Sequence, residues 1–397
     1  MATLDLDLLD PETFRDGPPH EAFRRLRAEA PVHWQKEREG PGFWLLSRHA
    51  DVVLVSRDHA TFSSFEGGVM TPDLDPAGLA MNRMMLLNMD PPPHTKLRNL
   101  VNRGFTPRRV AQLAPRIREL AEGIVSAVAE AGRCDFVTQV AGELPSALIS
   151  ELMGIPIADG RRLYELTERM HAAGDLEDSR AAAAEMLGYA AALRAGKRGG
   201  GTDDIASVLL AAEIDGERLS DLEFDLFFLL LINAGGDTTR NLVASGMLAR
   251  LQHPEQLAAL RRERGLLPGA IEELLRWCTP VMQFRRTATR DTEIRGERIA
   301  KGQKVVMFYP SANRDEEVFA DPERFDIRRA PNPHVAFGGG GAHFCLGASL
   351  ARLEIRCLFD AILERLHEIE LDGPVEHLHS WFIDGPRRMP VRFRARS

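Results

Sequence analysis

A mainly helical fold with a smaller β region is what the 397 residues of this chain predict. Three observations carry that expectation. Helical patterning dominates from Thr95 to about Phe325, the segment Ser220 to Leu251 reads as one long helix, and short β-rich runs lie around Ile294 to Phe308 and His379 to Phe393. No internal repeat is visible, so one large domain spanning 1–397 is expected, although the length alone would suit two average domains.

Taken in order, residues 1 to about 20 are polar and proline-rich and read as an extended lead-in to a short helix from Pro19 to Ala30. A β-rich stretch follows, in which Phe43-Trp44-Leu45-Leu46 and Val52-Val53-Leu54-Val55 stand out. Residues 65–93 mix Gly, Pro and Asp with Met70, Met81, Met84, Met85 and Met89 and keep no steady period. A long loop with a broken helix is expected there, and such loops inside a compact domain usually carry function. A glycine-rich linker at Gly196 to Gly201 interrupts the helical run.

The segment 220–251 opens on Ser220 as N-cap, has Glu223 in capping-box position, and is followed by Pro254. At 1.5 Å per residue it spans roughly 46 Å. Leu226 to Ile232 is apolar all round and should be buried. Ala234-Gly235-Gly236-Asp237-Thr238-Thr239 comes next. Two glycines inside a helix cost about 1 kcal/mol each relative to alanine, and threonine hydroxyls bond back to carbonyls and bend helices. A distorted helix is therefore expected. A kink for packing would explain Gly235 and Gly236, but not a buried carboxylate beside a threonine, which is costly unless paired.

The balance of 58 acidic against 50 basic residues gives a net charge of −8, which argues against nucleic acid or an anionic membrane as main partner. No stretch approaches the ~18 apolar residues of a membrane span, and the Met-Ala-Thr-Leu-Asp-Leu-Asp start lacks the features of a signal peptide. Cys134, Cys278, Cys345 and Cys357 show no paired spacing, as expected in a reducing cytoplasm.

Residues 337–347 read Phe-Gly-Gly-Gly-Gly-Ala-His-Phe-Cys-Leu-Gly. Consecutive glycines are entropically expensive and persist where the backbone needs φ > 0 or must pass close to something bulky. They lead to Cys345, with a helix-forming run after Gly347. A cysteine just before a helix N-terminus meets free N–H groups and the positive end of the dipole, which favour the thiolate and thereby ligation of a soft metal. A structural free cysteine in a turn is the plainer alternative.

These residues resemble the signature of the cytochrome P-450 superfamily: a Phe, a glycine-rich bend, an Arg or His two before the Cys, and a Gly two after it, here Phe337, Gly341, His343, Cys345 and Gly347. The usual spacing puts Phe seven residues before Cys and here it is eight. That variant looks like bacterial members that oxidise sterol side chains and methyl-branched lipids.

The resemblance implies the family's helix-rich fold, haem b (iron protoporphyrin IX), and Cys345 as the axial thiolate ligand. It places Ala234 and Gly235 beside the haem, and makes Asp237 and Thr238 the acid–alcohol pair that carries protons during O2 cleavage, which is general-acid work. His94 and Arg98, spaced i, i+4, match the HxxxR propionate clamp, with Arg286 and His343 as the other propionate contacts. Arg285 points elsewhere if its segment is extended. Glu273 and Arg276 form the ExxR motif on a helix from near Pro268. Such a pair is ordinarily a weak surface bridge; in the family it is buried, joined by the arginine of Pro322-Glu-Arg-Phe325, here Arg324, and supports the cysteine loop.

The implied reaction is hydroxylation of a bulky hydrophobic small molecule (steroid, terpenoid, fatty acid or natural-product intermediate) using O2 and two electrons. No flavin or nucleotide motif is present, so the electrons are expected from outside, from a small acidic ferredoxin and an NAD(P)H-dependent ferredoxin reductase. Arg103, Arg108, Arg109, Arg352 and Arg356 are the expected docking cluster. The apolar pocket is expected from the Met-rich loop, the central helix, Val281 to Phe284 and Trp381-Phe382-Ile383. The same scaffold also supports dehydrogenation, coupling or peroxide-driven oxidation, and, outside enzymes, haem-thiolate gas or redox sensing, for which no output domain is visible. The absence of an anchor leads to the expectation of a soluble, cytoplasmic, bacterial type.

Overall fold

The computed structural model describes residues 7–171, 176–197, 204–214 and 216–396. Most of the Gly196 to Gly201 linker lies outside the described residues. The chain runs through α1 (His20–Glu29), β1 (Val32–Gln35), β2 (Phe43–Leu46), α2 (His49–Arg57), β3 (Phe62–Ser63), α3 (Pro76–Asn82), α4 (Pro93–Asn102), α5 (Pro107–Ala129), β4 (Arg133–Asp135) and α6 (Glu143–Met153). It continues with α7 (Ile157–His171), α8 (Leu176–Lys197), α9 (Ile205–Ala211), β5 (Glu213–Ile214), β6 (Glu217–Arg218), α10 (Asp221–Gln252), α11 (Pro254–Arg262) and α12 (Leu267–Cys278). The last part holds β7 (Gln283–Ala288), β8 (Thr292–Ile294), β9 (Glu297–Ile299), β10 (Lys304–Phe308), α13 (Tyr309–Ala312), α14 (Ala348–Arg365), β11 (Leu366–Leu371), β12 (Glu376–His377), β13 (Pro386–Arg388) and β14 (Pro390–Ala395). Helix dominates and sheet is minor, as expected. No single helix among the described residues is long and apolar enough to cross a membrane.

Contacts divide the chain into two compact units. The first comprises residues to Arg98, Glu272–Cys345 and His379–Asp384. Its five-stranded sheet has the order β1-β2-β10-β7-β3, with β2 and β10 parallel and the other pairs antiparallel. Every residue of β10 is buried, including Lys304, whose ammonium lies 2.8 Å from Glu37 and 2.8 Å from Asp73. A buried lysine is tolerable only with such partners.

Two expectations fail in this unit. Val52 to Val55 belongs to a helix: Asp51, Val52, Val55 and Ser56 are buried, a spacing of three and four that overrides the β propensity of valine. The lead-in is not simply extended either, because Pro11–Phe14 forms a 3₁₀ turn and Leu8 and Phe14 are packed with Phe23, Phe43 and Phe308.

The second unit comprises Asn99–Ile271, Leu346–Leu378 and the chain from Gly385 on. Helices α5 to α11 and α14 build it, with the sheet β11-β14-β4 beside them. Helix α10 starts as expected: the Ser220 hydroxyl caps the Glu223 amide at 3.2 Å, and the Glu223 carboxylate accepts from the Ser220 amide at 2.8 Å. At 32 residues it is about 48 Å long. The expected distortion does not interrupt it; helical hydrogen bonding runs through Gly235 and Gly236. A methyl on Gly235 would come within 3.2 Å of Ile149, so packing by itself favours glycine there.

Candidate active site

The glycine loop of the first unit is shaped by α2. A Cβ on Gly339 would sit 2.6 Å from the Ser56 hydroxyl and 2.9 Å from the Val52 carbonyl. At Gly341 φ is +77° and a Cβ would collide with the Ser56 carbonyl, so both reasons for glycine apply together. The Arg57 guanidinium donates to the Gly339 carbonyl at 3.2 Å. Past this bend the Cys345 amide donates to the Phe337 carbonyl at 3.0 Å, which closes the loop, and Cys345 keeps part of its surface exposed. Gly347 is the N-cap residue of α14, and among the described residues nothing beyond its chain neighbours lies within 4 Å of its would-be Cβ.

Four of the expected haem contacts gather in the same unit. The His94 and His343 rings lie 4.3 Å apart between centroids. Arg98 donates to the Phe344 carbonyl, beside Cys345. Arg286, on β7, is buried, and its one hydrogen bond among the described residues runs to the Arg285 carbonyl at 2.8 Å. No carboxylate among the described residues forms an ion pair with Arg98 or Arg286. His94 Nδ1 is buried without a hydrogen-bond partner. Burial first, then the charge of Arg98, holds the His94 imidazole neutral, with a pKa near about 4; burial and Arg286 push His343 down further.

A cluster of two half-satisfied cations and two neutral imidazoles is what a dianionic ligand requires, so these residues fit the propionates of a haem. Arg285 does point elsewhere: it lies 2.7 Å from Asp73 and 3.1 Å from the Thr71 carbonyl, and anchors the Met-rich loop to the sheet. That anchor, with Lys304 and Glu37, was not legible beforehand because its members lie far apart in the chain.

The ExxR pair is fully buried. Arg276 donates twice to Glu273 at 2.8 Å, to the carbonyls of Asn313 and Pro322 at 2.9 Å, and to that of Arg324 at 3.1 Å. The third charged member is not the Arg324 side chain, which is exposed; it is Arg329, whose Nε lies 3.1 Å from Glu273. Arg324 lends only its carbonyl, to Arg276 and Arg329. Asn332 and the Asp326 amide complete the shell around Glu273.

The expected pocket residues of this unit meet. Phe284 and Phe382 make an edge contact with centroids 5.6 Å apart, the Met282 amide donates to the Phe382 carbonyl at 2.9 Å, and Val281 bridges Ile383. Met70, Met84, Met85 and Met89 are half-buried and Met81 is exposed.

In the second unit, Ala234 is exposed in the middle of an otherwise buried helix, and Thr238, one turn on, is part-exposed. Its hydroxyl donates to the Ala234 carbonyl at 2.9 Å. Asp237 is buried, with its carboxylate 2.9 Å from the guanidinium of Arg240. The acid is thus paired with Arg240, as its burial demands. Arg240 was missed in the sequence, although its i, i+3 spacing from Asp237 was a usable signal. In the expected docking cluster Arg108 and Arg356 are exposed and Arg109 and Arg352 part-exposed, while the Arg103 side chain lies outside the described residues.

Comparison with known proteins identifies the family. The family model described as Cytochrome P450 matches residues 193–380. A steroid C26-monooxygenase of Rhodococcus jostii is 43% identical over 98% of this chain and 85% of its own length. A methyl-branched lipid omega-hydroxylase of Mycobacterium tuberculosis is 40% identical over 98% of this chain and 94% of its own. The Mycobacterium marinum cytochrome P450 CYP268A2, solved in complex with pseudoionone, superimposes with a TM-score of 0.91 at 41% identity, covering 98% of both chains. The chain belongs to the cytochrome P450 family and is a haem-thiolate monooxygenase.

Proposed function

We propose that the whole chain, 1–397, works as one haem b domain that hydroxylates a bulky hydrophobic molecule of the steroid or methyl-branched lipid kind. The observation that carries this reading is the buried Arg286, without a carboxylate partner among the described residues, in the unit that also presents His94, Arg98, His343 and Cys345. Arg286, His94, Arg98 and His343 would hold the propionates, and Cys345 would hold the iron. Bound haem supplies the activation of O2, with the thiolate favouring O–O cleavage. Ala234 and Gly235 are the α10 residues assigned to the haem, Phe337, Gly341 and Gly347 shape the cysteine loop, and Asp237 with Thr238 holds and moves the protons.

Glu273, Arg276 and Arg329 fix the chain that leads to the loop. Phe284, Phe382 and the methionines of 65–93 exclude water and present an adaptable apolar wall. The names of the relatives supply the substrate class. Electrons come from a ferredoxin with its NAD(P)H-dependent reductase, in the cytoplasm. Two experiments test the reading. Reduced, carbon-monoxide-treated protein should show the absorption of thiolate-ligated haem, and an imidazole-type spectrum would overturn the assignment. With isotopically labelled O2, ferredoxin and reductase, one labelled atom should appear in cholesterol or in a methyl-branched fatty acid; label in neither would remove the substrate class.

A further inference from the structure

The pairing of Asp237 involves a third charge. Arg240 is buried and reaches two carboxylates: Nη2 lies 2.9 Å from Asp237 on its own helix, and Nη1 donates to Glu168 on α7. Its Nε donates to Asn241 at 3.2 Å, and its guanidinium stacks on the Tyr164 ring at 4.8 Å. The cation is therefore fixed in place while its two anions differ. Asp237 is 2% exposed, whereas the Glu168 side chain keeps 40% of its surface and can exchange protons with solvent.

The other charges that face Glu168 are Arg387 on β13 and Glu165 on α7. Two acids on one guanidinium leave an excess negative charge at the contact, so one of them is readily protonated. Burial first, then the charge of Asp237, lifts the Glu168 carboxyl to about 7.

We propose that Glu168 gates the protonation of Asp237 by competing with it for Arg240. An arginine does not give up its proton, so Arg240 is a positioning residue whose charge is divided. With Glu168 ionised, Arg240 is shared between two carboxylates and its hold on Asp237, the proton carrier, is loosened. With Glu168 neutral, the charge of Arg240 is left to its pair with Asp237. The gate opens as pH rises through the Glu168 titration. It rests on the reading of Asp237 as the proton carrier.

The test uses ferric holoenzyme for infrared titration of carbon-13-labelled glutamate, and holoenzyme with a surrogate ferredoxin and reductase for O2 consumption, which requires protons with or without substrate. Wild-type protein should show a carboxyl titrating near about 7 and a rate rising roughly tenfold from about pH 6 to 8, one pKa unit being a factor of ten. Glu168→Gln should lose that carboxyl, run about tenfold slower at pH 8 without the acid limb, and show a larger solvent isotope effect; Glu168→Asp should keep the limb. A Glu168→Gln enzyme that retains the limb, while Asp237→Asn is slow, overturns the gate and leaves the Asp237 reading standing. An Asp237→Asn enzyme with unchanged rate and isotope effect overturns that reading and the gate together.

Discussion

Arg276 and Arg286 are both buried in the first unit, and the chain treats them oppositely. Arg276 spends all five of its N–H donors on protein: two on Glu273 and three on the carbonyls of Asn313, Pro322 and Arg324. Arg286 spends one, on the carbonyl of its neighbour Arg285. A cation taken out of water must recover its solvation from somewhere. Where the protein returns it in full, the residue is scaffold. Where the protein returns a fraction, the remainder is addressed to a ligand. Side-chain burial alone would have ranked the two as equals.

The contrast breaks most visibly at Glu273. Removing one member of a buried pair costs about 3–5 kcal/mol, and Glu273 also holds Arg329, Asn332 and the Asp326 amide. Glu273→Ala should give little or no haem-loaded protein, read as the ratio of haem to protein absorption after purification; normal loading would end the scaffold reading. Arg286→Met should behave differently. Haem should leave about 10–100-fold faster in transfer to a scavenging globin, as expected when charged hydrogen bonds worth about 1.5–3 kcal/mol are lost. The haem-free chain should be as stable as before or more so, because an undercompensated cation has gone. A loss matching that of Arg276→Met would make Arg286 scaffold as well.

Glu354 on α14 is the anionic counterpart. It is buried in the second unit, its Oε2 has no hydrogen-bond partner, and burial lifts its carboxyl to about 8. The folded state thus holds a proton that the unfolded chain releases from about pH 4.5 upward, so this group costs stability as pH rises from there to about 8. Glu354→Gln should be near neutral at pH 4.5 and stabilising by up to a few kcal/mol above pH 8, seen as unfolding midpoints that diverge with pH. Parallel curves would mean that Glu354 has a counter-ion in solution.

What could be read beforehand followed sequence distance. The long helix, its capping box and the glycine loop are local, and each is where its residues put it. The ExxR pair is local too, but its third member is not. A motif pointed to Arg324, and the fold uses Arg329 because Arg324 lies at the exposed edge of the loop with only its carbonyl turned to Arg276. Val52 to Val55 failed for a related reason: β-branched residues prefer strands, yet the buried face at Val52 and Val55 suits a helix packed under the glycine loop. The Glu168 to Arg240 contact joins residues 72 positions apart and left no trace in either local pattern.

The smallest effect is expected where arginine costs least. Arg356 on α14 is exposed, and its nearest acid, Asp360, is 4.0 Å away one turn on. Exposed pairs of this kind contribute about 0–1 kcal/mol, so Arg356→Ala should leave the unfolding midpoint almost unchanged. If the residue earns its place in docking an acidic ferredoxin, the variant should raise the half-saturating ferredoxin concentration roughly two- to fivefold at low salt, and the difference should fade once ions shorten the screening length to a few ångströms. Buried Arg276 and Arg286 should show no such salt dependence. An Arg356→Ala enzyme that matches wild type at low salt would move the docking surface off this face of α14, while the distinction between the two buried arginines would be untouched, since that distinction is set by hydrogen bonds that salt does not reach.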